Sequence, residues 1–267
     1  MVTMALNLFE RLKGDLEDGL PTALATIIKG SGQGKKMLLL SDGSTLGSLG
    51  DETLNRVLTR DMAGELAAGR TSIRHYGPKG EAREEALSIF IESFAPPPQM
   101  LIFGAVDFTA ALVKVAKVLG YIVTVCDARP VFATRERFPQ ADNVENAWPN
   151  DLLETYGETL GPRDAICVLT HDNKFDVPAI TGALETQVGY IGVMGSRRTH
   201  ENRTTRLIEA GVKEEQFQRI MSPIGLDLGA RTPEETAISI CGEIIAMRTG
   251  RNAPHLKSSD GPIHGES

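Results

Sequence analysis

The chain has 267 residues, 41% hydrophobic and 24% charged, with a mean hydropathy of −0.12; this suits one large domain or two small ones and excludes disorder over most of its length. A formal net charge of −7 argues against general nucleic-acid binding, which needs a basic surface to neutralise phosphates. No run of about 18 apolar residues occurs, so no membrane-spanning helix is expected, and the N-terminus lacks a basic-then-apolar signal pattern.

In chain order, a helix is expected near Leu6–Leu16, then a β-like run from Thr22 to Ile28 and a glycine-rich turn, Gly30-Ser31-Gly32-Gln33-Gly34. A second β-like run, Met37–Leu40, leads into Ser41-Asp42-Gly43, a hairpin signal. Leu54–Ala68 carries a moderately amphipathic helix pattern. In Ala86–Phe94, Leu87, Ile89 and Ile91 alternate with other residues as a strand does. Residues 1–95 therefore predict a small α+β domain. Ala95-Pro96-Pro97-Pro98 marks the boundary, because successive prolines continue neither a helix nor a central strand and favour a stiff connector.

Beyond the prolines, Met100–Phe103 reads as a buried strand. The next helix places Phe108, Ala111, Leu112, Val115, Val118 and Leu119 at three- and four-residue spacing and ends at Gly120. Strands follow at Tyr121–Val125, Ala165–Leu169 and Val188–Val193, with helical patterns around them. The last helix opens on Thr232-Pro233-Glu234-Glu235, with Thr232 as cap, Pro233 in the first turn and Glu235 completing a capping box. This alternation over residues 96–250 predicts a Rossmann-like parallel-sheet domain; the fold class is α/β, with the small α+β domain in front. Residues 251–267, polar with scattered Pro and Gly, are expected to form a disordered tail.

Ligands of open parallel sheets bind at the C-terminal strand ends. The first strand runs into Gly104-Ala105-Val106-Asp107-Phe108-Thr109, where a dinucleotide fingerprint would carry glycines at 104, 106 and 109, and only Gly104 is present. Val106 puts a branched side chain where a pyrophosphate approaches the backbone, and Asp107 puts a negative charge at the helix start, so no intrinsic dehydrogenase activity is expected. Asp127 lies about 20 residues beyond the glycine turn, the place of a ribose-binding acid; a solvated or capping carboxylate is the alternative. Arg129 suits an anionic group or an ordinary surface. Thr170-His171-Asp172 with Asp176 offers a divalent-metal set or an acid–base pair, or a turn closed by an Asx hydrogen bond. With no further ligands in view, no metal site and no catalytic residue are assigned.

Met194-Gly195-Ser196-Arg197-Arg198 opens a polar helix containing His200, Arg203 and Arg206. A glycine turn, a hydroxyl and arginines at a helix N-terminus suit a phosphate; the alternative is an exposed basic face. Loop 222–230 holds Gly225, Gly229 and Asp227, read as buried, and is shaped to close over the same edge. The three cysteines, Cys126, Cys167 and Cys241, form no CxxC pair and no disulfide framework, so a reducing cytoplasm is the expected compartment. Cys167 and Cys241 read as packed core thiols, the latter in a stripe with Ile238, Ile244 and Ile245. Cys126 alone lies near the proposed ligand edge, and none of the three is expected to ligate a metal.

Tyr190–Arg198, Pro223–Ala230 and Thr232–Glu235 resemble the XdhC/CoxI family, accessory factors of xanthine dehydrogenase and carbon monoxide dehydrogenase. Val125–Pro130, Thr170-His171-Asp172 with Asp176, and Glu92–Pro98 are similar to that family too, over nearly all of residues 88–250. The likeness is looser at Gly30-Ser31, Lys36–Leu38, Asp42-Gly43 and Gly47–Gly50. The resemblance implies a maturation chaperone without turnover of its own. Such a chaperone binds molybdenum cofactor, as molybdopterin or its dinucleotide form, protects it during sulfuration and delivers it to a molybdenum hydroxylase. Read together with the strand ends, it makes Gly104, Asp127, Arg129, His171, Asp172, Gly195, Ser196, Arg197, Arg198 and Asp227 the expected cofactor-binding residues. The target hydroxylase is the implied partner, with a cysteine desulfurase or a second accessory paralogue beside it and a homodimer as a further option; residues 22–50 are the expected docking surface. Two departures stand out. The family's glycine-glycine-cysteine run is replaced by Gly50-Asp51-Glu52-Thr53, and its Gly-Ala-Gly-His turn by Gly104-Ala105-Val106-Asp107. The competing reading is an NAD(P)-dependent oxidoreductase with a degenerate fingerprint.

Overall fold

The computed structural model describes residues 2–258 apart from Arg83, His171 and Ser196; the side chains of residues 2–6 and 197–202 also fall outside the description. The chain divides at Pro96–Pro97 into two compact units. Of the expected tail, 259–267 lies outside the described residues, and 251–258 is irregular up to a 3-10 turn at Leu256–Ser258.

The first unit comprises α1 (Val2–Glu17), β1 (Thr22–Lys29), β2 (Lys36–Leu39), β3 (Thr45–Gly47), α2 (Glu52–Ala68), β4 (Ser72–Tyr76) and β5 (Leu87–Phe94). The strands form an antiparallel sheet in the order β3-β2-β1-β5-β4. Side chains alternate across it. Ala23, Ala25, Ile27, Met37, Leu39, Ile89 and Ile91 cluster with Leu54, Leu58 and Met62 of α2. Leu24, Leu38 and Leu40 cluster with Leu8 and Leu12 of α1. The two helices therefore cover opposite faces.

Edge strand β4 escapes the sequence pattern because its buried face is partly polar. Ile73 points outward at 41% exposure, while Arg74 reaches the buried Glu65 carboxylate, which Arg70 also meets at 3.1 Å. The Gly50-Asp51-Glu52-Thr53 stretch, where the family run would carry a cysteine, serves as a helix start. Asp51 is the N-cap of α2, its carboxylate accepting the Thr53 and Leu54 amides at 2.9 and 3.0 Å.

The second unit runs β6 (Gln99–Phe103), α3 (Asp107–Val118), β7 (Ile122–Cys126), β8 (Asn143–Glu145), α4 (Pro149–Tyr156), β9 (Ala165–Val168), α5 (Asn173–Glu185), β10 (Tyr190–Val193), α6 (Arg197–Glu209), β11 (Ile220–Met221) and α7 (Pro233–Thr249). All strand pairs are parallel, in the order β11-β10-β9-β6-β7-β8. Counted within the unit this is 3-2-1-4-5-6, the doubly wound Rossmann order. Met100, Ile102, Val123 and Val125 pack with Leu112 and Ala116 of α3 and Ile240 and Ile244 of α7. Leu101, Phe103, Ile166 and Val193 pack on the other face with Leu153, Phe175, Ile180 and Leu207 of α4, α5 and α6.

The capping box of α7 is formed as expected: the Glu235 amide donates to Thr232 Oγ1, and the Thr232 amide to Glu235 Oε2, both at 3.1 Å. Three apolar assignments need correction. Val118 is 85% exposed at the end of α3, and Ile238 and Ile245 of α7 are exposed as well. On α7 the buried stripe is Ala237, Ile240, Cys241 and Ile244, spaced i, i+3, i+4 and i+7, and Ile238 lies beside it.

Asp51→Ala removes a side-chain cap and should lower the stability of the first unit by about 1 kcal/mol, read from the midpoint of urea unfolding. Asp51→Asn should retain most of it.

Candidate functional site

The Rossmann order reverses between β6 and β9, and the ends of β6, β7 and β9 converge there. Gly104 leaves β6 with φ +112°, and a Cβ at that position would lie 2.5 Å from Thr170 Cγ2 and 3.0 Å from the Thr170 nitrogen. Both the backbone conformation and the clearance require glycine. Its amide donates to the Cys126 carbonyl at 2.8 Å, and its carbonyl accepts the buried Thr109 hydroxyl. Gly104 thus serves the packing of strand ends against one another.

Asp127, 2% exposed, follows β7. Its Oδ2 accepts the Ala105 amide at 2.9 Å and Arg129 Nη2 at 2.8 Å; its Oδ1 accepts the Arg129 amide and Nε at 3.0 and 2.9 Å. The carboxylate is therefore filled by a bidentate arginine and two amides, and a ribose hydroxyl would have to displace Arg129. Burial by itself raises the Asp127 carboxyl, but the bonds from Arg129 and Ala105 outweigh it and hold the group below its ordinary value. The outer face of Arg129 rests on the Phe132 ring at 4.4 Å, and Arg137 approaches the same ring at 5.2 Å.

Thr170 and Asp176 lie beneath the edge. The Thr170 hydroxyl donates to Asp176 Oδ1, and Arg203 Nη2 donates to Asp176 Oδ2 at 2.8 Å and to the Met194 carbonyl at 2.9 Å. Both charged side chains are 98% or more buried. Arg203 is thus no part of an exposed basic face. It shares its side of α6 with Leu207 four residues on, which is also buried. Asp172 is the N-cap of α5, its Oδ1 accepting the Lys174 amide at 3.0 Å, which is the Asx-type turn among the alternatives.

Above these groups opens a cleft of about 570 Å³ bounded by Val106, Arg129, Thr170, Asp172, Lys174 and Arg206. Lys174 and Arg206 are exposed and have no ion-pair partner among the described residues. Together with Arg129 and the N-terminus of α5 they make a cationic rim suited to an anion. A smaller cavity of about 140 Å³ adjoins it, sharing Arg129, Thr170 and Asp172 and walled by Trp148 and Phe175. A further depression between α4 and α5 is lined by Glu154, Glu158 and Glu185, charges that repel phosphate.

The remaining expected residues divide. His171 and Ser196 lie outside the described residues, and Gly195 leads from β10 to α6. Arg197 and Arg198 begin α6, but their side chains also lie outside the described residues. Asp227 requires correction: it is exposed and lines neither cavity. The loop turns Leu226 inward instead, its amide donating to the Ser239 carbonyl at 3.2 Å and its carbonyl accepting the Ser239 hydroxyl. All three cysteines are buried and free; burial pushes Cys126 up to about 12, despite its bond to the Ala147 carbonyl. Lys174 was not among the expected residues. Its signal was the Asx turn itself, which placed a basic residue in the first turn after Asp172.

Removing the Asp176 carboxylate strands the buried Arg203 charge, so Asp176→Ala should cost about 3–5 kcal/mol in urea unfolding. Arg203 Nε and Nη1 already lack hydrogen-bond partners among the described residues, so the double change Asp176→Leu with Arg203→Met should recover most of that loss. A carboxyl held low in the folded state adds stability that is present above its unfolded value and lost as pH falls through its folded value. Unfolding midpoints of Asp127→Asn should therefore fall less than those of the parent between about pH 6 and about pH 3.

Residues 100–244 match the XdhC Rossmann domain, and residues 15–77 match the XdhC and CoxI family. The chain is 34% identical over 165 residues to a probable xanthine dehydrogenase subunit of Bacillus subtilis (strain 168), a match covering 62% of this chain and 47% of that protein. It is 25% identical over 162 residues to the molybdenum cofactor insertion chaperone PaoD of Escherichia coli (strain K12), covering 61% of this chain and 44% of PaoD. The chain thus spans about half the length of these relatives. A crystal structure of a xanthine dehydrogenase from Bacillus halodurans aligns over 94% of this chain and 97% of its own at 23% identity and a TM-score of 0.54, a likeness of fold. With the Rossmann match alone covering more than half of its length, the chain belongs to the XdhC family.

Proposed function

We propose that this chain is an accessory factor in the maturation of a molybdenum hydroxylase, and that its Rossmann unit receives the phosphate-bearing end of the molybdenum cofactor. The observation that carries this reading is the cleft at the sheet's switch point, where Lys174, Arg206 and the outer edge of Arg129 face the start of α5. Family membership supports it, as does the likeness to a chaperone named for molybdenum cofactor insertion. Phosphate oxygens accept charge-assisted bonds from such groups, and the helix start adds its own amides.

The residues fit the organic part of the cofactor better than its metal. The thiols are buried, and no group of three or more His, Cys, Asp or Glu is arranged to hold a metal ion among the described residues. When bound, the cofactor carries the redox-active molybdenum that the target enzyme uses. This chain's own residues bind and orient the phosphate and limit its contact with water. Sulfuration then falls to a partner such as a cysteine desulfurase, and the first unit, with its exposed Gly30–Gly34 turn and edge strand β3, serves as the docking surface for the target enzyme. The NAD(P) alternative is weakened by Val106 at the cleft wall and by the filled Asp127 carboxylate, which leaves the ribose no acceptor.

Lys174→Ala and Arg206→Ala should each weaken pyrophosphate and molybdopterin binding about tenfold, with a reduced salt dependence, measured by isothermal titration calorimetry. The same variants should slow cofactor insertion into the target enzyme. Unchanged affinity in the double variant would place the phosphate site elsewhere.

A further inference from the structure

The smaller cavity beside the cleft has its own chemistry. Its outer wall is Trp148, the one tryptophan of the chain, which is 48% exposed. The indole lies 5.9 Å from the buried Phe175 ring, centroid to centroid, and Phe175 meets Phe103 edge-on at 6.3 Å. The backbone of Trp148 is extended, φ −78° and ψ 154°, as a residue before proline must be. A flat aromatic surface is thus backed by packed rings and still reaches solvent.

The polar groups at the mouth are few. Asp172 uses Oδ1 for the Lys174 amide, and Oδ2 has no bond among the described residues. Arg129 uses Nε and Nη2 for Asp127, which leaves Nη1. At about 140 Å³ the cavity is smaller than the range of about 300–1,000 Å³ that encloses whole ligands, and suits a single ring system. It shares three wall residues with the cationic cleft, so one ligand can place a ring in the first and a phosphate in the second.

We propose that this cavity is a subsite for a planar nitrogen heterocycle bearing the 2-amino-4-oxopyrimidine edge common to pterins and guanine, stacked on Trp148 and donating to Asp172. The inference rests on the phosphate reading of the adjoining cleft. An ionised carboxylate only accepts hydrogen bonds. The 2-amino-4-oxopyrimidine edge offers it two adjacent donors, a ring N–H and an amino group. Adenine offers an amino group beside an acceptor nitrogen, whose lone pair would face the carboxylate. Aromatic stacking adds affinity without discriminating between rings, so Asp172 carries the selectivity.

Neopterin 3′-monophosphate, guanosine 5′-monophosphate, adenosine 5′-monophosphate and inorganic phosphate can be titrated into the full chain, following Trp148 fluorescence and calorimetric heat. The first two should quench Trp148 and bind about tenfold more tightly than adenosine 5′-monophosphate, the loss expected when charge-assisted hydrogen bonds to a carboxylate are mismatched. Whichever of the two binds more tightly identifies a pterin or the guanine of a dinucleotide form as the occupant. Trp148→Leu should weaken both about tenfold while leaving inorganic phosphate binding within about twofold, and Trp148→Phe should restore much of the loss. Asp172→Asn, which still caps α5, should abolish the preference over adenosine 5′-monophosphate. Equal affinity for the three ring compounds, or unchanged affinity in Trp148→Leu, would overturn the ring subsite. The phosphate reading would survive that result if inorganic phosphate still depended on Lys174 and Arg206. Binding of neither phosphate nor ring compounds would overturn both.

Discussion

The pair of Asp176 and Arg203, 2.8 Å apart and almost wholly buried, ties together α5, α6 and the ends of β9 and β10 in the second unit. Asp176 belongs to α5 and takes the Thr170 hydroxyl from the end of β9; Arg203 belongs to α6 and takes the Met194 carbonyl from the end of β10. The cationic cleft sits directly on this frame. Lys174 is two residues before Asp176 and Arg206 three after Arg203, so the same pair that joins the helices sets where both cations stand. A buried pair is a weak source of stability but a strong constraint on geometry, because each partner is costly to leave alone.

The Rossmann order is kept while the usual dinucleotide chemistry at the first turn is replaced. Gly104 still passes close to the neighbouring strand end, but the acid after β7 is turned to a structural task by Arg129. Arg137 adds a second closure, donating to the Ala105 carbonyl at 3.0 Å and approaching Asp107 at 3.6 Å. Both guanidinium groups approach the Phe132 ring, and Arg137 joins the segment after β7 to the first turn. The cations of the cleft stand around the start of α5 rather than at α3, the helix position that carries pyrophosphate in dinucleotide enzymes.

Much of this architecture is legible in the sequence, because buried strands such as Met100–Phe103 and capped helices such as that at Thr232 carry local signals strong enough to read. The short edge strands β8 and β11 are not legible: Asn143-Val144-Glu145 is too short and polar, and only pairing with a neighbour makes it a strand. At the site, Asp172 and Arg129 were identifiable from their place at strand ends. Their partners were not, since a carboxylate filled by its neighbour's guanidinium looks, in sequence, the same as one awaiting a ribose. Arg203 shows the same difficulty in reverse: surrounded by polar residues it reads as exposed, and only its spacing to Leu207 marks the buried side of the helix. Asp227 was misread because two flanking glycines let Leu226, rather than the acid, turn inward.

The burial of every thiol has a chemical consequence for sulfur traffic. A protein that carries sulfane sulfur does so as a persulfide on a cysteine whose thiolate meets both donor and acceptor. Here Cys126 and Cys241 are pushed up to about 12 by burial, and burial likewise raises Cys167 well above its ordinary value. None can be relay points without unpacking the sheet or helix that holds it. On the function proposed above, sulfur destined for a ligand held by this chain would come from a partner's thiol rather than from any of these three cysteines.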